Sequence, residues 1–346
     1  MAIFAALAAA FLFGISAPLA KVLLRTIDPW ALAALLYLGS GCGLVLLRAL
    51  RGRFAVELDR EQWRWLAIAT AIGGVVAPIL LMSALRQMPA SEASLLLNAE
   101  SVFTTLLAWR FFGENAGARV AAGLVAIVAG AVVIGWPTNA QAGIGGVVPT
   151  LAVLGTCLAW ALDNNLMRRV SLADVTDVAM LRGLAAGTTN LVLAFAHGAS
   201  LPEPSGVASA MTLGFFSYGG SLSLYVYSLR HLGAARSGAC FAVAPFFGAA
   251  IALLLLHEPL TAALAVSAIL MAAGVALTVA EPHAHQHTHE RMEHVHEHVH
   301  GTGDLHHEHV HEPPVPAGTR HSHPHRHDRL THTHPHFPDA HHQHVH

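Results

Sequence analysis

Charge is scarce in this chain. Asp, Glu, Lys and Arg supply 12% of its 346 residues, against about 25% in a typical soluble domain, which argues against an ordinary water-soluble enzyme. Nor is there an excess of one sign. The formal charge is −2 with His neutral, so no basic field points to nucleic acid as a partner. Cysteine is rare too: Cys42, Cys157 and Cys240 lie far apart inside apolar runs. They can form neither a CxxC metal site nor a disulfide framework and read as small packing residues. Alternating strand patterns are missing, which removes a β-barrel. No nucleophile–base pair, phosphate loop or HExxH signature occurs in a supporting context, so no catalytic role is expected. A cationic segment ahead of the first apolar stretch is also absent, and residues 1–24 read as a retained helix, not a cleaved signal.

What is present falls into two parts with different solvents. Up to residue 282 the chain is dominated by Ala, Leu, Val and Gly. Crossing the hydrocarbon core takes about 20 mostly apolar residues. Ten stretches qualify: 2–24, 29–47, 65–85, 90–112, 118–136, 147–167, 175–195, 208–227, 239–256 and 262–280. The fold class expected is therefore an all-α integral membrane protein followed by a disordered tail. With the N-terminus inside, the inner loops hold eleven Lys/Arg residues and the outer loops only Lys21, Arg25 and Arg86. By the positive-inside rule the protein is multi-pass in the cytoplasmic (inner) membrane, with both termini cytoplasmic.

A shift of 144 aligns residues 85–133 with 229–277 without a gap, matching Leu85-Arg86 to Leu229-Arg230, Phe103 to Phe247, Glu114 to Glu258 and Gly130 to Gly274. With three more residues of shift, Phe13-Gly14 meets Trp160-Ala161 and Lys21 meets Arg168. Each copy holds five spans, an odd number, so the second copy is inverted. The expected boundaries are 1–138 for the first repeat, 139–281 for the second and 282–346 for the tail. Inverted repeats with a path between them are the design of secondary transporters.

These residues resemble the drug/metabolite transporter superfamily of EamA type. Its repeat opens with an aromatic-Gly pair and a basic residue late in the first span, here Phe13-Gly14 and Lys21. Its fourth span runs through a Pro-aromatic stretch to an acidic ending, here Ala244-Pro245-Phe246-Phe247 and His257-Glu258. The first copy lacks that proline and carries Asn98 and Glu100 instead, ending in Gly113-Glu114. The resemblance covers residues 2–280. It implies a carrier for solutes ranging from amino acids to drugs and other metabolites.

An ionisable residue at a helix centre costs about 2.5–3.5 kcal/mol on insertion scales, so each one needs a reason. Glu100 lies near the middle of the fourth span with Asn98 close by; it reads as a substrate or proton-coupling carboxylate, or as a carboxyl locking two helices. Trp160, Asp163, Asn164 and Met167 share one face of the sixth span. Arg182, two turns into the seventh, has Asp163, Asp177 and Glu100 as candidate partners. Tyr218, Ser221, Tyr225 and Ser228 form a hydroxyl stripe along the eighth span that either lines a path or bonds to neighbouring helices. Gly39-x-x-x-Gly43 and Gly183-x-x-x-Gly187 are packing signals.

The tail is a different polymer. The chain has 26 histidines, and only His197, His231 and His257 precede residue 283, leaving 23 in the last 64 residues. So little apolar content predicts disorder, and dense imidazole suits Zn, Ni, Co or Cu. The first candidate ligands are His283, His285, His287, His289, His294, His296, His298, His300, His306, His307, His309 and His311.

The favoured reading is a secondary transporter for a small organic solute, a proton-coupled exporter that needs no cofactor, with lipid, solute, protons and tail-bound divalent metal as partners. One alternative is a divalent transition-metal (Ni/Co/Zn) transporter with the tail as collector or sensor. The other is a membrane-anchored metal buffer. The spans hold no His–His or Cys–His cluster, which weighs against metal as cargo. On the Lys/Arg bias, a reporter active only outside the membrane and fused after residue 280 stays inactive; activity there overturns the topology.

Overall fold

The computed structural model describes residues 1–50, 58–112, 117–136, 143–167, 170, 174–279, 284–289, 292–299, 320–327 and 330–335. The chain divides into two compact units, Met1–Glu281 and Pro282–His346.

In the first unit, α1 (Ala2–Gly14) and α2 (Ser16–Leu23) make the first span and α3 (Pro29–Leu50) the second. The third joins α4 (Arg60–Ala69), a π-helical stretch Thr70–Val76 and α5 (Ala77–Gln87). The fourth is α6 (Ala90–Leu96) with α7 (Ala99–Phe112), and the fifth is α8 (Ala118–Gly135). In the second copy α9 (Gly143–Met167) and α10 (Val175–Ala196) come first. They are followed by α11 (Pro204–Gly214), a second π stretch Phe215–Gly220 and α12 (Ser221–Phe241). The chain reverses within α12 at Gly233, whose φ of 78° favours a residue without Cβ. The remainder of α12 with α13 (Ala244–Leu255) is the ninth span, and α14 (Ala262–Val279) the tenth.

Among the described residues, eight stretches are long and apolar enough to cross a membrane. The other two of the ten are the fourth span, interrupted at Leu97-Asn98, and the eighth, whose Ser and Tyr hydroxyls lower its hydropathy. The third span starts at Arg60, five residues earlier than hydropathy indicates. Asp59 accepts from the Gln62 backbone N–H while Gln62 accepts from that of Asp59, a capping box that extends the helix into polar sequence.

The repeat survives in the backbone. The 144-residue shift carries α8 onto α14 end to end and places the π stretch 70–76 on 214–220. Packing then runs mainly between copies. The most extensive contacts join α3 to α10, α8 to α14 and α1 to α12. Small residues make these crossings possible, since helices in lipid associate by close packing and not by burial from water. A Cβ on Gly183 would sit 2.6 Å from the Gly41 backbone nitrogen, and one on Gly274 would sit 2.6 Å from the Gly123 carbonyl oxygen. Gly39, Gly43 and Gly187 likewise abut Met211, Phe215 and Leu38, so both glycine pairs singled out in the sequence mark close approaches. Val125, Val132, Leu254 and Ile269 stay exposed on the outer face of the bundle, as lipid requires.

The second unit carries β1 (Ala284–His289), β2 (Met292–Val299), β3 (Arg320–His327) and β4 (Leu330–Pro335). β1 pairs antiparallel with β4, and β2 with β3. In these four segments the chain is extended and paired. The reason is local: His-x-His repeats every two residues, the period of a strand, and a ladder is held by main-chain bonds that need no apolar core. Of the candidate ligands, His285, His287, His289, His294, His296 and His298 lie on β1 and β2. His283, His300, His306, His307, His309 and His311 lie outside the described residues, as do Gly113, Glu114 and Arg168.

Substituting Gly183→Val drives two methyls into the backbone of α3 and is expected to cost about 1–3 kcal/mol or more, read as a lower Tm in detergent. Gly238→Ala, with nothing within 4 Å of the added carbon, leaves Tm unchanged.

Candidate functional site

The π stretch in the third span organises the site. In a π segment backbone carbonyls leave their regular ladder and become available to side chains. The carbonyl oxygen of Gly73 accepts from Tyr37 Oη at 3.1 Å and from Trp160 Nε1 at 3.1 Å. The next carbonyl, Gly74, accepts from Asn190 Nδ2 at 3.0 Å. Helices α3, α9 and α10 are thereby tied to one point of the third span. Gly73 has to be glycine, because a Cβ there would occupy the space of the Asp163 carboxylate.

Asp163 is the buried anion of the site, 3% exposed. Arg182 Nη2 donates to its Oδ2 at 2.5 Å. Its Oδ1 is buried and has no hydrogen-bond partner among the described residues. The neighbouring Asn164 donates through Nδ2 to Glu100 Oε1 at 2.7 Å, and Asp163 lies close enough to Glu100 to act on it electrostatically. Arg182 is thus paired with Asp163, and Glu100 is joined to the pair through the neighbouring amide of Asn164. Rings of Phe13, Trp160, Tyr37, Tyr218, Phe241 and Tyr225 form a continuous aromatic chain beside them. Phe13 has centroid distances of 6.2 Å to Trp160, 6.1 Å to Tyr218 and 5.4 Å to Phe241. Tyr37 lies 5.5 Å from Tyr218, and Tyr225 lies 4.9 Å from Phe241.

The structure brings Glu100, Trp160, Asp163, Asn164, Arg182 and Tyr218 into this cluster, with Tyr225 at the end of the aromatic chain. Other expected residues point elsewhere. Asn98 is buried and donates to the Leu95 carbonyl at 2.9 Å and towards Met271 Sδ at 3.8 Å, so it faces α14 and not Glu100. Ser221 Oγ donates to the Ala9 carbonyl at 2.9 Å, and Ser228 Oγ meets Ser237 Oγ at 2.5 Å. Within the hydroxyl stripe, these two serines bond helices together. Asp177, once a candidate partner for Arg182, pairs with Arg48.

Tyr37, Gly73 and Asn190 were not singled out from the sequence, although a lone Tyr, a Gly pair and a lone Asn in mid-span are visible signals. Nor were the caps. Glu258 accepts from the Ala90 and Ser91 N–H groups at 2.7 and 2.8 Å, closing the start of α6. Lys21 Nζ donates to the Leu85 and Met88 carbonyls at 2.5 and 2.9 Å, closing the end of α5. Glu258 ties the second copy to the first, and Lys21 ties the first span to the third, both at helix ends.

A ten-span helical bundle of two inverted copies, with ionisable residues enclosed where they cross, defines a membrane transporter. The family model for the EamA-like transporter family matches residues 1–136 and 148–280, and the chain belongs to that family. It is 28% identical over 287 residues to an uncharacterized transporter of Methanothermobacter thermautotrophicus, covering 77% of this chain and 82% of that one. A solved structure, described only as the crystal structure of a protein, superposes with a TM-score of 0.61 over 80% of this chain and 95% of its own at 20% identity. That likeness shows the fold.

Breaking a buried ion pair on one side costs more than removing both charges. Arg182→Met is expected to destabilise by about 3–5 kcal/mol, and adding Asp163→Asn to recover most of it, both measured by thermal unfolding in detergent.

Proposed function

We propose that this transporter exports a small organic solute across the cytoplasmic membrane in exchange for protons, with both termini in the cytoplasm. The observation that carries the reading is the arrangement of charge among the described residues: Arg182 pairs with Asp163, while the neighbouring Glu100 accepts an amide hydrogen bond from Asn164. With both acids ionised, the described residues of the cluster carry one negative charge in excess, inside a bundle that has little water to screen it. That charge is satisfied by one of two visitors, a proton on Glu100 or the positive end of a solute. Because the two compete for one acid, arrival of the proton releases the solute, and exchange follows. The aromatic chain suits such a solute: ring faces attract cations within about 6 Å of their centroids and pack the apolar remainder. A small amphipathic molecule with an amino or quaternary group fits best.

The copies are equivalent in backbone but not in charge. Aligning α10 with α3 at their first residues sets Arg182 opposite Leu36, and the shift of 147 sets Asp163 opposite Ser16. Glu100 falls opposite Ala244. One coupling site per chain follows, on one side of the pseudo-two-fold. Transport requires no cofactor in this reading, and the His-rich tail binds divalent metal. The tail itself favours a second reading, metal as cargo. Removing residues 282–346 separates the two: organic-solute exchange survives under the first and metal movement is lost under the second.

The central test uses proteoliposomes with an entrapped pH dye and a panel of small organic cations and amino acids. Glu100→Gln keeps the shape of the side chain and removes its titration. Solute-linked proton movement should disappear while solute–solute exchange persists. If this variant accumulates solute against a gradient like the unaltered protein, Glu100 is a structural residue and the coupling reading fails.

A further inference from the structure

A groove opens on the outer surface of the bundle between the third and seventh spans. Helix α10 packs against the π stretch 70–76 more closely than against α4, and the space left beside them is about 290 Å³. Its walls include Trp63, Ala67, Ala71 and Val75 from the third span and Leu181 and Ala185 from α10. Trp63 is 47% exposed, and Ala67, Ala71 and Ala185 are exposed as well. The groove therefore faces the surrounding lipid. From Trp63 to Val75 the chain advances at most about 18 Å at helical rise. One leaflet of a hydrocarbon core about 30 Å thick is about 15 Å deep. The groove thus has the length of a single acyl chain lying along the bundle, with Trp63 at the end where indole rings settle in the interface.

Beyond that end the same helical face turns cationic. Arg60, Arg64, Ala67 and Ala71 recur at i, i+4, i+7 and i+11. Both arginines are exposed, and among the described residues neither guanidinium has an ion-pair partner. The nearby acids are engaged elsewhere. Asp59 caps α4, Asp174 caps α10, Glu61 accepts from Trp65 Nε1 at 3.2 Å, and Asp177 pairs with Arg48. We propose that this groove binds an anionic phospholipid, one acyl chain lying between the third and seventh spans and the phosphate held by Arg60 and Arg64. Guanidinium matches phosphate with two parallel hydrogen bonds, and the long Arg side chains reach to headgroup level from a helix end. A zwitterionic lipid brings its own ammonium to the same place and gains less. The wall of the groove is the outer side of the π stretch, whose Gly73 carbonyl anchors Tyr37 and Trp160. A bound lipid thus braces the element that positions the aromatic lining. The site requires only that the bundle lie in lipid and is independent of what the bundle carries.

Native mass spectrometry of the purified full-length protein in detergent at pH 7.5 reads lipid retention as dioleoyl phosphatidylglycerol or dioleoyl phosphatidylcholine is titrated in. The unaltered protein is expected to hold one phosphatidylglycerol about 25-fold more tightly than phosphatidylcholine, about fivefold for each cation beside an anionic headgroup. R60Q/R64Q brings the two lipids level. A71W and A185F fill the groove from opposite walls, and each removes the tight lipid. I68W adds a large ring at an exposed position outside the lining and retains it. Equal affinity of the unaltered protein for the two lipids means an ordinary lipid annulus and overturns the proposal. So does a preference for phosphatidylglycerol that survives R60Q/R64Q, or one that survives both A71W and A185F, because the anionic lipid then sits elsewhere.

Discussion

Hydrocarbon offers no hydrogen-bond partner, so each polar group that enters the bundle has to be satisfied by the protein itself. The π stretch at Thr70–Val76 is where this constraint bites hardest. It frees carbonyls in mid-membrane, and the chain answers with Tyr37, Trp160 and Asn190 from three different helices. The same residues fix the walls of the site. Trp160 is held at Gly73 by its indole N–H and presents its ring to Phe13; Tyr37 is held by its hydroxyl and presents its ring to Tyr218. A local defect in one helix thus places the aromatic lining, and the absent side chain at Gly73 leaves the space that Asp163 fills.

The architecture was legible because its causes are periodic and long-range in composition. Ten apolar runs, an odd number per copy and a fixed shift of 144 suffice to define inverted five-span repeats. The face shared by Trp160, Asp163 and Asn164 was legible for the same reason, since helical spacing is enough to group them. Choosing Asp163 for Arg182 was not. That choice depends on how α9 and α10 rotate within the bundle, and for α10 this is set by glycine contacts with the second span such as Gly183 on Gly41. Asn98 illustrates the opposite failure. It is only two residues from Glu100, but the chain breaks at Leu97-Asn98 and turns the amide towards α14. Proximity in sequence misleads where a helix is interrupted.

The tail shows how composition and pattern can disagree. Its lack of apolar residues argues for disorder, while its strict two-residue alternation favours strands. Pairing satisfies both, because a two-stranded ribbon exposes its faces to water and asks of the sequence only that its register be consistent. Histidine opposite histidine at alternate positions, three in one ribbon and two in the other, is that consistency.

The way the copies interlock bears on how the protein is made. The faces of α3 and α8 that carry Gly41 and Gly123 fit α10 and α14, which follow more than 130 residues later in the chain. During synthesis the first five helices enter the bilayer before their partners exist. Until then these grooves can be filled only by lipid tails, and the freed carbonyls at Gly73 and Gly74 lack the indole of Trp160 and the amide of Asn190. The first half is therefore an assembly intermediate that waits for the second, and the bundle matures only when the last helix has left the ribosome.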